Sequence, residues 1–176
     1  MLASVGMASE EDEGEAIEEA ILIAEAHAIA AAQALHSVTD ILANVVYIAL
    51  QLDKVAFIPE RDRSLSRVAE VMRPTDEEHA TRLERLKSTY EFRYLSAYVN
   101  TTKHRRLVSR GFQISVQEAR QFGLRLHPFR YEFNQKDVET FPSRWMDDFL
   151  KESLVFISEE VKAIGGRLEI VLRAGA

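Results

Sequence analysis

Apolar residues recur every three or four positions over the first third of the chain, which is the period of an α-helix. The repeat runs through Ile17, Ile21, Ala24, Ala28, Ala31 and Leu35, and then through Ile41, Val45, Ile48 and Leu52. No Gly or Pro interrupts residues 15–52. We therefore predict one long helix over about 14–52, in preference to two abutting helices with a second cap at Ser37 or Thr39.

Proline and polar residues divide the next part of the chain. Pro59 and residues 60–63 indicate a connection, and residues 64–72 have the pattern of a short helix that Pro74 ends.

A third, long helix is predicted after that proline. Thr75 and Glu78 have the Thr-x-x-Glu spacing of a capping box. The helical pattern then continues from Asp76 to about Arg110, where Gly111 offers a left-handed stop.

The period changes to two after Gly111. Alternation over 112–116 and 124–133, with a change of phase at Pro128, predicts two short strands. A final helix is predicted from near Pro142 to Gly165-Gly166, and the tail 167–173 alternates like a third strand. This helix is expected to turn Trp145, Phe149, Leu154 and Ile157 inward.

The predicted fold class is mainly α. We expect a helical bundle with long first and third helices and a small antiparallel β addition. It forms a single domain over residues 1–176, with a β-hairpin insert at about 112–133.

Composition narrows the function classes. The chain has 176 residues, 47% of them hydrophobic, and no cysteine, which excludes disulfides, thiolate zinc sites and cysteine nucleophiles. No Lys or Arg precedes Lys54, so a secretory signal is not expected. Polar residues such as Glu25 and Asp40 interrupt the apolar run, and we therefore expect a buried helix rather than a membrane crossing, in a cytoplasmic protein.

Charge is unevenly distributed along the chain. Residues 1–53 carry ten acidic side chains and no Lys or Arg, whereas residues 81–110 carry eight basic side chains and two acidic ones. The basic stretch can attract phosphate. It can equally pair with the acidic half, within one chain or across a dimer.

The segment from Asn100 to Arg106 reads Asn-Thr-Thr-Lys-His-Arg-Arg. On a helix, Asn100 and His104 lie one turn apart, and Arg93 falls on the same stripe. His36 and Asp40 in the first helix have the same four-residue spacing, so the carboxylate can orient the imidazole.

If the two helices pack together, these groups suit metal-free cleavage of RNA. A neutral imidazole can take the 2′-hydroxyl proton, while Lys or Arg stabilises the phosphorane. The alternative is structural: histidines in helical cores usually serve packing, and cations at a helix C-terminus meet its dipole favourably.

These motifs resemble the HEPN superfamily of helical bundles. The resemblance lies in Leu35-His36-Ser37-Val38-Thr39-Asp40 on the first helix and in Asn100-Thr101-Thr102-Lys103-His104-Arg105 on a later one. It implies a dimer, and for many members ribonuclease activity at a composite site in toxin, antiphage or stress systems. The family's signature is Arg followed by His four to six positions later. In this chain His104 matches that His, and Asn100 stands in the place of the Arg.

The leading hypothesis is a HEPN-like cytoplasmic protein of prokaryotic defence or stress response that binds or cleaves RNA without a metal or cofactor. His104 and Asn100 are the candidate catalytic residues, and Lys103, Arg105 and Arg93 the candidate phosphate ligands. His36 and Asp40 are candidates for residues that contact the catalytic groups and orient them without touching the RNA.

Two other readings stay open. One is a non-catalytic homodimeric scaffold that binds a protein partner. The other is a bundle with a small-molecule cavity between the first and third helices.

Overall fold

The computed structural model describes residues 10–103, 108, 110–115, 122–133 and 137–174, with side chains from residue 13 onward. Within these ranges the chain forms five α-helices: α1 Glu10–Ala49, α2 Leu65–Met72, α3 Glu77–Ser88, α4 Tyr90–Lys103 and α5 Met146–Ala174. Five short strands lie between α4 and α5: β1 Arg110–Ile114, β2 Phe122–Leu126, β3 Phe129–Glu132, β4 Val138–Phe141 and β5 Arg144–Trp145. The mainly α fold class is confirmed.

The long first helix is confirmed as one continuous element of 40 residues. It ends where Gln51 adopts a left-handed conformation with φ 51°. The hydroxyl of Tyr47 then fastens the following chain, because it donates to the carbonyl of Ala56 at 2.8 Å and accepts from the amide of Ile58 at 2.9 Å. This connection contains two short 3-10 turns, Leu52–Lys54 and Glu60–Asp62.

The caps of α2 and α3 follow from their sequences. Ser64 accepts a hydrogen bond from the amide of Arg67, as expected for an N-cap serine. At α3 the capping prediction was shifted by one residue, since Asp76 rather than Thr75 accepts from the amide of His79. The hydroxyl of Thr75 instead donates to the carbonyl of Met72.

The predicted third long helix is in fact two helices. Thr89 has an extended backbone with ψ 151°, which separates α3 from α4. The hydroxyls of Ser88 and Thr89 both donate to carbonyls three residues back, so they satisfy groups that a continuing helix would have used. The break redirects α4 toward α1 and the sheets.

The predicted hairpin needs a similar correction. β1 and β2 form an antiparallel pair, but the second predicted strand, 124–133, splits at His127-Pro128 into β2 and β3. β2 also pairs with β5, whereas β3 pairs with β4 in a separate two-stranded sheet. The change of phase at Pro128 is therefore a boundary between sheets. Gly111, expected as a helix stop, lies in β1.

The last helix differs at both ends from the prediction. α5 begins at Met146, leaving Trp145 on β5, and it continues through Gly165-Gly166 to Ala174, so the tail is helical rather than a strand. A Cβ at either glycine would meet no atom within 4 Å, so the two glycines interrupt no packing. Burial of Ile164 and Leu168 on either side outweighs the intrinsic cost of glycine in a helix, about 1 kcal/mol per residue. Leu154, expected inside, is exposed.

Two hydrophobic clusters hold these elements together. The first joins the C-terminal half of α1 to α2, α3 and the end of α5, through residues that include Val46, Met72 and Ile164. The second joins the middle of α1 to α4, the strands and the start of α5, with Tyr94 and Phe149 near its centre. Because α4 contributes to the second cluster, it packs directly against the middle of α1.

Candidate functional site

A polar cluster lies where α4 crosses the middle of α1. His36 Nε2 lies 3.4 Å from Ser96 Oγ, and the side-chain amide of Asn100 donates to the same oxygen at 3.2 Å. One turn earlier on α4, the ring of Phe92 stacks on His36 with centroids 5.7 Å apart. We use the name polar cluster for His36, Ser96, Asn100 and the neighbouring Lys103.

The electrostatics of the polar cluster favour a neutral imidazole. Burial lowers the pKa of His36, and the positive charge of Lys103 lowers it further, while Asp40 acts in the opposite direction. The pKa of His36 therefore lies below its ordinary value of 6.5, which favours the neutral imidazole. Asp40 influences this ring only electrostatically, because the hydrogen bond of His36 goes to Ser96.

A groove opens beside Ser96. It has a volume of about 470 Å³ and is bounded by α2, α3, α4 and the β3–β4 region. We call it the Ser96 groove. Two of its lining residues are basic and two are acidic, and the full set is Ser66, Glu84, Lys87, Ser88, Phe92, Arg93, Ser96, Phe133 and Asp137. Its two cations and two aromatic rings are groups that can pair with phosphates and stack on bases, whereas its two carboxylates oppose an anionic strand.

Arg93 lines this groove, but its contacts are with the β3–β4 hairpin and not with Asn100. Its guanidinium pairs with Glu139 at 2.5 Å and stacks over the ring of Phe133 at 4.9 Å. The residue proposed as a phosphate ligand is therefore engaged by the β3–β4 hairpin. A phosphate would have to share it with Glu139.

Other arginines of the basic stretch are also paired. Arg82 bonds to Glu160 at 3.0 Å, and Arg110 meets Glu25 of α1 at 3.1 Å in a largely buried pair. The pairing of basic residues with acidic residues of the same chain, including the N-terminal half, is thus found at these positions. Lys103, by contrast, is exposed at the end of α4 and has no ion pair among the described residues.

The predicted catalytic residue His104, together with Arg105, lies outside the described residues. In the sequence they directly follow Lys103, the last residue of α4. Of the predicted site residues that are described, His36, Asn100 and Lys103 come together and Asp40 lies nearby. Within the described part of the chain, no group of three or more His, Asp or Glu residues could hold a metal ion.

Sequence reasoning missed Ser96 and Phe92. Both lie on the α4 face that carries Asn100, four and eight residues before it, so the helical period places them in the same row. The signal was present, but a serine and a phenylalanine carry no distinctive motif. Their importance follows from the contact with α1, which the sequence does not encode locally.

A second groove is apolar. It has a volume of about 700 Å³ and lies between the N-terminal half of α1, the β1–β2 hairpin and the start of α5, with Ile21, Phe112, Phe122 and Leu150 among its lining residues. The small-molecule alternative requires a cavity between the first and third predicted helices, whereas this groove lies between α1, the β1–β2 hairpin and α5.

One helix, Glu13–Ala49, is long and apolar enough to cross a membrane. Only 11% of its apolar stretch is buried, so the expectation of a buried helix was wrong for this stretch. Length and composition alone do not establish a membrane span.

The fold and its polar cluster define a mainly α protein with two small antiparallel sheets and a His-Ser-Asn-Lys group between α1 and α4. No protein-family model, curated protein or solved structure matches the chain.

Proposed function

We propose that this protein binds RNA along the Ser96 groove and cleaves it at the polar cluster without a metal ion, as a HEPN-like protein of prokaryotic defence or stress response. The observation that carries the proposal is the convergence of His36 from α1 and Asn100 from α4 on one hydroxyl, with Lys103 beside them. Separate helices supply these groups, yet they form one polar site at the edge of a groove.

The reaction class follows from the residue types. The 2′-hydroxyl oxygen of the RNA attacks the adjacent phosphorus and the bond to the 5′-oxygen breaks, which leaves a 2′,3′-cyclic phosphate and a 5′-hydroxyl end. The 2′-hydroxyl proton passes to an imidazole, and the leaving oxygen gains a proton. His104 serves as the acid/base residue in this proposal, and Lys103 with Arg105 stabilises the charge on the phosphorane.

His36 has a positioning role in this scheme. Its Nε2 contacts Ser96, which also holds the amide of Asn100, and the stack on Phe92 keeps the ring in place. Loss of His36 would leave Ser96 with the amide of Asn100 as its remaining partner and would remove the link from these groups to α1. Asp40 and Lys103 set the charge around the ring.

Base stacking gives the groove its second role. Phe133, which follows β3, and Lys87 of α3 both line this groove. A single strand lying there places its phosphates near Lys87 and Lys103 and brings the scissile bond to the polar cluster. Stacking contributes about 1–3 kcal/mol per base, which is enough to orient a short strand.

The test is binding and cleavage of a labelled single-stranded RNA. We expect His104→Ala to abolish cleavage while binding persists, and Lys103→Met to weaken binding by about fivefold or more. Lys151→Met on α5 removes the same charge from an exposed position away from the groove and should leave both unchanged.

The positioning role of His36 has its own readout. His36→Ala should lower the cleavage rate more than the affinity, and His36→Asn, which restores a hydrogen-bonding group, should recover part of it. An RNA-binding protein that cleaves equally well without either histidine would contradict the proposed chemistry.

A non-catalytic scaffold is the second candidate, and the pairing of Arg82, Arg93 and Arg110 with carboxylates favours it. In that case the wild-type protein shows neither RNA binding nor cleavage. The same assay therefore separates the two functions.

A further inference from the structure

The outward side of α1 carries an apolar surface that the rest of the chain leaves uncovered. Ile23, Ile41 and Ile48 are 51%, 62% and 65% exposed. They belong to a row that we call the outer seam. Its members are Ile23, His27, Ala30, Ala34, Ser37, Ile41, Asn44 and Ile48. All are exposed except Asn44, which is half-buried.

The spacing of the outer seam is that of a coiled-coil interface. Steps of four and three residues alternate from Ile23 to Ile48 without a break. This is the heptad a/d repeat, which keeps one seam facing a partner helix. At 1.5 Å per residue it extends for about 38 Å.

The row is also self-complementary in the antiparallel direction. If two copies of α1 cross between Ala34 and Ser37, Ile23 lies opposite Ile48 of the second copy, and Ala30 lies opposite its Ile41. Large residues then meet at the ends and a large residue faces a small one nearer the centre. The small residues at the centre let the helices approach closely.

Charge disfavours the parallel orientation. The first turns of α1 carry Glu13, Glu15, Glu18 and Glu19, all exposed, and residues 13–19 contain no basic side chain. Residues 53–67, beyond the other end of α1, carry four basic side chains and three acidic ones. A parallel pair would set two acidic runs side by side, whereas an antiparallel pair brings each run toward Lys54 of the second copy.

We infer that the outer seam is the interface of a homodimer in which two α1 helices pack antiparallel with their two-fold axis between Ala34 and Ser37. The acidic run also disfavours an anionic membrane as the covering partner, since peripheral helices on such membranes carry Lys and Arg. The dimer does not depend on the RNA-cleaving function, because the seam and the polar cluster use different sides of α1.

The first experiment measures the mass of the full chain by sedimentation over a range of concentrations. The wild type should be a dimer, and Ile41→Glu should raise the dissociation constant by about tenfold or more, because each dimer would bury two carboxylates. Leu22→Glu is the matched control, since Leu22 is 64% exposed on the same helix but lies outside the seam. Circular dichroism should show that both variants keep the wild-type helix content.

The second experiment determines whether the two α1 helices of the dimer pack antiparallel. The chain has no cysteine, so each introduced thiol is the only one. Ile23→Cys and Ile48→Cys should form disulfide-linked dimers when the two variants are mixed and oxidised, and should form few when each is oxidised alone.

Three results would overturn the inference. They are a wild-type monomer at all concentrations, efficient self-linking of Ile23→Cys alone, and equal loss of dimer in Ile41→Glu and Leu22→Glu. Flotation of a monomeric wild type with phosphatidylglycerol vesicles would assign the seam to lipid instead. RNA cleavage is measured separately, so failure of the dimer and failure of the proposed function remain distinguishable.

Discussion

His36 and His79 occupy comparable positions in the sequence and very different ones in the structure. Each has an aspartate within four residues, Asp40 after His36 and Asp76 before His79. His79 is 2% exposed, its Nδ1 lies 2.9 Å from Asp76, and its Nε2 lies 3.5 Å from the carbonyl oxygen of Ile164. Both of its nitrogens therefore have partners inside the fold, which is the environment of a structural histidine.

His36 is half-buried and leans away from its aspartate toward Ser96 of α4. Its pKa is lowered, by burial first and then by Lys103, and it stands beside a groove. A His/Asp spacing of three or four residues thus indicates proximity only. The helix that packs against each imidazole determines its second partner, which is the α5 carbonyl of Ile164 for His79 and the α4 hydroxyl of Ser96 for His36.

The largest expected difference between the two histidines is in stability. His79→Ala removes a buried ring and leaves Asp76 without its main partner, so the free energy of unfolding should fall by about 2–4 kcal/mol. His36→Ala should cost less than about 1 kcal/mol, because the ring is half-buried. Urea denaturation measures both, and equal losses would remove the distinction.

The free energy of unfolding at acid pH should depend on Asp76 and on its hydrogen bonds with His79. Burial raises the pKa of Asp76, but hydrogen bonds from the His79 side chain and backbone, with Arg167 nearby, bring it below its ordinary value of 3.8. The resulting stability is complete above pH 3.8 and is lost as the pH falls through the lower, folded-state pKa. Asp76→Asn should therefore weaken the protein by about 1–2 kcal/mol at pH 7 and flatten its acid unfolding curve.

That prediction has a control at Asp40. Asp40→Asn should leave the acid unfolding curve nearly unchanged, because Asp40 caps no helix and its side chain is exposed. A flattened curve in Asp40→Asn and an unchanged one in Asp76→Asn would contradict the assignment.

The smallest expected effect is on the titration of His36. Because its pKa lies below 6.5 in the folded protein, the unfolded chain takes up a proton first, and the associated stability is full above pH 6.5 and lost as the pH falls toward the folded pKa. Lys103→Met removes the second cause of the lowering and should move the pKa of His36 upward. An NMR titration measures this shift, and a downward movement would contradict the proposed proximity.

Several parts of this structure could be predicted from the sequence because they are local. The length of α1 follows from its unbroken helical period, and the start of α2 follows from Ser64. The break at Thr89 could not be predicted in the same way, since both flanking segments have strong helical patterns. The passage of α5 through Gly165-Gly166 depends on distant packing of Ile164 and Leu168 against α1, α2 and α3.

The candidate site also combines features that local spacing predicted with features that depend on contacts between distant elements. The spacing of His36 and of Asn100 predicted that the two helices would present polar groups, and their packing brings those groups together. Arg93 lies on α4 in the row that was predicted from the helical period. The β3–β4 hairpin nevertheless supplies Glu139 and Phe133, which contact its guanidinium. Pairing between elements distant in sequence decided both outcomes, and a helical period contains no information about it.

The most direct test of the central claim compares the two imidazoles as RNA is added. In an NMR titration with a short single-stranded RNA, assigned by His36→Gln and His79→Gln spectra, the His36 ring resonances should shift and those of His79 should stay in place. Unchanged His36 resonances at saturating RNA, or shifts at His79 alone, would contradict the proposed cleavage of RNA at the polar cluster.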